Sequence, residues 1–215
     1  RILAGPWAGQ LLGDYGADVV KVERPGNGDD TRQWGPPWLG SESAYFLCAN
    51  RNKRSLTVDI GTSSGQQVIR ELAGAADVLL ENFKVGTLER YGLDPVDLMA
   101  ANPRLIICSI TAFGRFGSRA AQPGYDAMIQ ASGGLMSITG PADEEGGGPQ
   151  KVGVAIADIM AVMYAASAIL AAVHAREQTG RGQHRDVRLD DSQVAWRASQ
   201  GMCFRVGGDG PGRRG

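Results

Sequence analysis

The chain has 215 residues, with 22 Lys and Arg against 23 Asp and Glu and a net charge of −1. That length supports one sizeable core, or one domain with part of another. The balanced charge gives no electrostatic basis for binding nucleic acid or an acidic membrane surface. Cys48, Cys108 and Cys203 are odd in number, far apart and without metal-ligand spacing. They are expected to be reduced thiols of a cytoplasmic protein with no metal site. No apolar run is read as reaching the ~20 residues that span a bilayer; the nearest, 156–173, contains Asp158. The chain opens on Arg1 in an apolar stretch and closes on Gly- and Arg-rich loop composition, so it reads as a fragment of a longer protein.

In chain order, residues 1–4 read as the end of a strand and Gly5-Pro6 as a turn. Residues 7–15 read as a helix with Trp7, Leu11 and Leu12 on one face, and 18–23 as a strand. This β-turn-α-β unit opens a parallel, doubly wound sheet. Residues 26–40 carry Trp34 and Trp38 in a long Gly- and Pro-rich loop, a length that points to function or mobility. Further strands are expected at 55–59, 77–81 and 105–110, and helices at 63–73, 87–91, 95–101 and 124–130.

The stretch 151–191 organises the rest. After Lys151 comes an apolar run, then Asp158, then an Ala-, Ile- and Met-rich segment to about 177 without Gly or Pro. It reads as a long, largely buried helix. Thr179-Gly180 stops it, and 183–189 alternates like a strand. Asp158 is the single charge between Lys151 and His174. Two roles fit it: a capping acid on unpaired first-turn N–H groups, or a carboxylate nucleophile toward an activated acyl group.

Three constellations could carry chemistry. The Ala4-Gly5 turn and Glu23-Arg24 lie where parallel sheets bind phosphate-bearing ligands. Glu23 allows an NAD reading, but Gly5-Pro6-Trp7-Ala8-Gly9 lacks the dinucleotide-binding glycine spacing. The basic residues Arg24, Arg51, Lys53, Arg54, Lys84 and Arg90 could hold a phosphate-rich ligand; Arg24 and Lys84, directly after strands, rank first. Tyr125-Asp126 and Asp158 could share a site. His174 lies within the long helix and His184 enters a strand, which leaves a Ser-His-Asp set without support, and no H-E-x-x-H or C-x-x-C occurs, which leaves metal chemistry without support.

Several stretches in order then resemble one family, the class III CoA-transferases. They are Ala4-Gly5-Pro6, residues 16–23, Asn52-Lys53-Arg54-Ser55, residues 76–83, Asn102-Pro103-Arg104, Gly133-Gly134 and residues 179–183. The resemblance implies transfer of coenzyme A from an acyl-CoA donor to a small carboxylic acid acceptor. It places the nucleophile on Asp158, with aspartyl anhydride and aspartyl-CoA thioester intermediates. It places CoA contacts on Ala4, Arg24, Lys84 and Arg90, and a supporting or acceptor-placing role on Tyr125 and Asp126. Leu3 replaces a polar residue of formyl-CoA transferases, which argues against a formate/oxalate pair. Tyr125 replaces a racemase histidine, which argues against α-methylacyl-CoA racemisation. Members are longer and form interlocked homodimers. Residues 1–203 are therefore expected to be a CoA-binding, Rossmann-like large domain, and 204–215 a linker toward a small domain. The expected fold is α/β, a mostly parallel sheet flanked by helices with a long buried helix after Asp158. The alternatives are a truncated CoA-binding module without turnover and, further off, a racemase or an NAD-dependent oxidoreductase.

Overall fold

Helix α1 (Ala4–Asp14) starts on Ala4 itself, and residues 1–3 form a turn rather than the expected strand end. The structure, a computed structural model, describes residues 1–213. Pro6 is the third helical residue, where its missing N–H is one of the donors a first turn leaves unpaired anyway. Gly5-Pro6 is thus the inside of a helix start, not a turn before it.

Strand β1 (Val19–Glu23) follows α1. The 26–40 loop leads through a 3-10 turn, Asp30–Gln33, into a two-residue hairpin of β2 (Trp38–Leu39) and β3 (Glu42–Ser43). Helix α2 (Ala44–Cys48) starts where Ser43 Oγ accepts the Phe46 N–H at 3.0 Å. Then come β4 (Lys53–Thr57), α3 (Ser63–Ala75), β5 (Val78–Glu81), α4 (Thr87–Arg90), α5 (Pro95–Ala101) and β6 (Ile106–Thr111). Helices α6 (Asp126–Ser132) and α7 (Ile156–Thr179) precede β7 (His184–Arg188), α8 (Leu189–Trp196) and α9 (Ala198–Gly207). The expected domain boundary after residue 203 falls inside α9.

All long strands pair in parallel, β1 with β4 and β5–β6–β7 in that order. Residues 106–110 of β6 are all buried, as a central parallel strand requires. One face of β6 and β7, through Cys108, Ile110 and Val187, packs on α1, α6 and α7. The other, through Leu105 and Ile107, meets α3, α4 and α5. This is the expected α/β arrangement with helices on both faces.

Helix α7 runs 24 residues and, by length and composition, is apolar enough to cross a membrane, so the expectation that no run reaches that length is corrected. Here its small-residue stripe, Ala157, Ala161, Ala165 and Ala172 with Ile169, is buried in the core. The largely buried reading holds for that stripe; Met163, Tyr164 and Leu170 on other faces are exposed. Arg176, 5 % exposed, secures the far end by pairing with Asp77 at 2.8 Å.

Candidate active site

The residue before α7 is Ala155, which has no side-chain acceptor to cap it. The cap comes from another helix, well upstream. Asp126, first in α6, accepts the Ala157 N–H at Oδ1 at 2.8 Å, and the Asp158 N–H makes a longer 3.4 Å approach to the same oxygen. So the capping role considered for Asp158 belongs to Asp126, and the Asp158 carboxyl is left for other work. Asp158 is half-buried in the first turn of α7. Burial first, and the like charge of Asp126 second, push its pKa from 3.8 up to about 7. A first turn favours the anion, but the two opposing effects prevail.

Tyr45, from α2, is half-buried and close enough to feel the charge of both acids. Its pKa is raised by burial and then by the charge of Asp158. Its ring stands edge-on to Trp34 at 5.2 Å, which brings the long loop to the neighbourhood of Asp158. Sequence reading missed Tyr45 because α2 is too short to show a period; the Ser43 cap was the available signal.

The expected CoA contacts occupy two strand ends and a helix start. Ala4 is 5 % exposed and shares a core cluster with Ala157 and Ala161 of α7. Next to it, Gly5 abuts Asn82 in the loop after β5, the loop that also carries exposed Lys84. The α1 start, the β5 exit and the α7 start are therefore drawn to one edge. Arg24, after β1, is exposed and paired with Asp30. Arg90 is exposed at the end of α4, its guanidinium 5.1 Å from the Tyr91 ring centre. Tyr125 immediately precedes α6 and is 64 % exposed. The lower-ranked cations have partners within the chain: Arg51 with Asp14, Arg54 with Asp18, and Lys53 with three carbonyl-type oxygens.

Glu23 is not available to a ribose. Its carboxylate accepts from Arg32 Nε and Nη2, each at 2.8 Å, from Ser55 Oγ at 2.8 Å and from the Asp29 N–H at 2.9 Å. Burial alone would raise its pKa; those donors outweigh it and bring it down to about 2. The NAD reading loses the acid it depended on. Arg32 also pairs with Glu42 at 2.7 Å, so Glu23 holds the 26–42 loop from beneath.

The profile of "CoA-transferase family III" matches residues 1–215. The chain is 49 % identical over 221 residues to the succinate–glutarate CoA-transferase of Agrobacterium fabrum, covering 100 % of this chain and 54 % of that protein. It is 48 % identical to the human succinyl-CoA:glutarate CoA-transferase, covering 91 % of this chain and 44 % of that one. Among solved structures, a CAIB/BAIF family protein from Brucella suis superposes with a TM-score of 0.95 at 50 % identity, over 100 % of this chain and 57 % of that one. A D175A mutant of Rv3272 from Mycobacterium tuberculosis does so with 0.84 at 38 % identity, over 94 % and 54 %. The chain spans about half the length of the curated relatives it matches.

Proposed function

The chain belongs to CoA-transferase family III, and from that premise we propose that it carries the nucleophile and much of the CoA site of an enzyme moving CoA from an acyl-CoA donor to a carboxylic acid. The observation that carries the reading is Asp158: a half-buried carboxyl, freed from capping by Asp126, held near neutrality and set beside the α1 start.

The steps follow from carboxylate chemistry. Ionised Asp158 attacks the thioester carbonyl; the C–S bond breaks, CoA leaves as thiolate, and an aspartyl-acyl anhydride remains. The thiolate attacks the Asp158 carbonyl carbon, expels the donor acid and forms an aspartyl-CoA thioester. The acceptor carboxylate attacks that thioester, giving a second anhydride and thiolate again. Thiolate attack on the acceptor carbonyl then releases the new acyl-CoA and restores the Asp158 carboxylate. Both anhydrides hydrolyse readily, so water must be kept out; Tyr45 and Trp34 supply apolar surface for that purpose. Ala4, Arg24, Lys84 and Arg90 are assigned to CoA, the cations to its phosphates.

The names of the relatives support short dicarboxylic acids as donor and acceptor. The reading includes residues 1–203 as the CoA-binding domain and a homodimer as the working unit. Exposed Met163, Tyr164 and Leu170 on α7 supply apolar surface for further protein.

The test is covalent trapping. The full-length protein containing this chain is incubated with succinyl-CoA, quenched with hydroxylamine, digested and analysed by mass spectrometry. A hydroxamate on Asp158, absent in Asp158→Ala, is expected. CoA binding by calorimetry without modification or acyl exchange would instead support a binding module.

A further inference from the structure

Gln130 of α6 is a fully buried amide, 0 % exposed, whose hydrogen bonds converge on the start of α7. Its Nε2 donates to Asp126 Oδ2 at 2.6 Å and makes a 3.4 Å approach to the Val154 carbonyl. Its Oε1 accepts the Val152 N–H at 2.9 Å. The other oxygen of the Asp126 carboxylate receives the Ala157 N–H. One side chain thus grips both the acid that caps α7 and the segment feeding into that helix.

We propose that Gln130 is a positioning residue for the Asp158 chemistry: it fixes the plane of the Asp126 carboxylate against the first turn of α7 and holds the 152–154 approach in register with it. The inference rests on the reading of Asp158 as the reacting carboxylate. A carboxylate anchored at one oxygen can swing about its Cβ–Cγ bond; anchored at both, it aims at one place. The 2.6 Å bond is charge-assisted, the strong kind, and is partly buried, with its donor side chain wholly so, which limits competition from water. A small error in where an attacking atom sits is costly in rate, so a brace one residue removed from the nucleophile reaches catalysis without touching substrate. Among the described residues, the ionisable groups at this junction are Asp126, Asp158, Tyr45 from α2, and Lys151, whose Nζ donates to the Val152 carbonyl at 3.0 Å.

The discriminating variant is Gln130→Glu in the full-length protein. It keeps the oxygen that accepts the Val152 N–H. In acid the introduced carboxyl is protonated and donates to Asp126 as the amide did. In base two carboxylates face each other and repel. Two quantities are read across about pH 5.5 to 8.5: acyl exchange relative to the parent, and amide deuterium exchange of residues 156–159 relative to the parent. The expected result is a relative activity that falls at least about tenfold with rising pH, loss of protection at 156–159 over the same range, and little change in KM. Gln130→Leu is expected to be impaired at every pH. A Q130E-to-parent ratio flat with pH, with 156–159 equally protected, overturns the proposal, because Gln130 would then only fill space. The amide readout is independent of turnover. If the parent transfers no CoA yet protection responds, the brace stands and the proposed reaction fails; if the parent transfers CoA and Q130E behaves as the parent, the reverse holds.

Discussion

A Cβ built on Gly5 would stand 2.9 Å from Asn82 Oδ1 and 3.0 Å from its Cγ, so the first turn of α1 and the loop after β5 touch without room for a methyl group. Asn82 also donates to the Arg1 carbonyl at 2.9 Å, gripping the backbone just ahead of that turn. The contact joins the α1 start to the loop carrying Lys84.

Gly5→Ala is therefore expected to lower stability by about 1–3 kcal/mol and to weaken CoA binding, since the Asn82 side chain must shift and loosen its hold on Arg1. Asn82→Ala makes room, and the double variant should recover part of the loss. Calorimetric melting and CoA titration of the four-member cycle measure the coupling.

Asp158→Asn should stabilise the protein while abolishing transfer. With its pKa raised from 3.8 to about 7, Asp158 keeps a proton in the fold that the unfolded chain gives up. Its contribution to stability therefore falls as pH rises from about 4 to about 7. The ceiling of that penalty is about 4 kcal/mol. The variant should exceed the parent in urea midpoint at about pH 8, and the margin should vanish below about pH 4. An equal margin at both pH values would contradict the assignment of the penalty to this carboxyl.

The same titration governs rate. The attacking species is the carboxylate, so kcat/KM for acyl-CoA should climb with pH along a limb whose midpoint lies near 7. A midpoint near the ordinary carboxylate range would mean that burial and Asp126 do not act on the nucleophile as the geometry requires.

Lys53 fastens α2 to α1. Its Nζ donates to the Pro6 carbonyl at 2.6 Å, the Ala49 carbonyl at 2.7 Å and Asn50 Oδ1 at 2.9 Å. Burial, then the charge of Lys21, lower its pKa from 10.5 to about 7. Between those values the unfolded chain binds more protons than the fold, so this group's contribution rises with pH there. Lys53→Met leaves three acceptors short of a donor and should cost about 2–4 kcal/mol. The deficit should widen from about pH 6 to pH 9, and amide exchange at 44–50 should quicken because α2 is released.

Apolar runs and breakers made most elements legible. Residues 95–101 appear as expected, and β1, β5, β6 and β7 lie within one or two residues of their predicted bounds, because β1 and β5 follow Asp18 and Asp77, Pro103-Arg104 comes just ahead of β6 and Gly182 just ahead of β7. What was not legible depends on distance along the chain. Ala155 cannot cap α7, which hints that something must, but nothing local says that Asp126 does. Glu23 reads as a free ribose acid until Arg32 and Ser55, from separate segments, are seen to engage it. The opening strand was misread because Gly-Pro punctuates turns more often than it starts helices. Helices α8 and α9, which follow β7 without a loop, have no breaker between them to announce a change of period.

The anchoring of the 26–42 loop by Glu23 and Arg32 has a practical side. An anchor whose acid stays ionised to about pH 2 outlasts the protonation of Asp158 by a wide interval of acidity. Mild acid should silence the nucleophile while leaving its surroundings assembled, so that holding the protein at pH 4 to 5 should stop new adducts from forming and a return to neutrality should restore turnover.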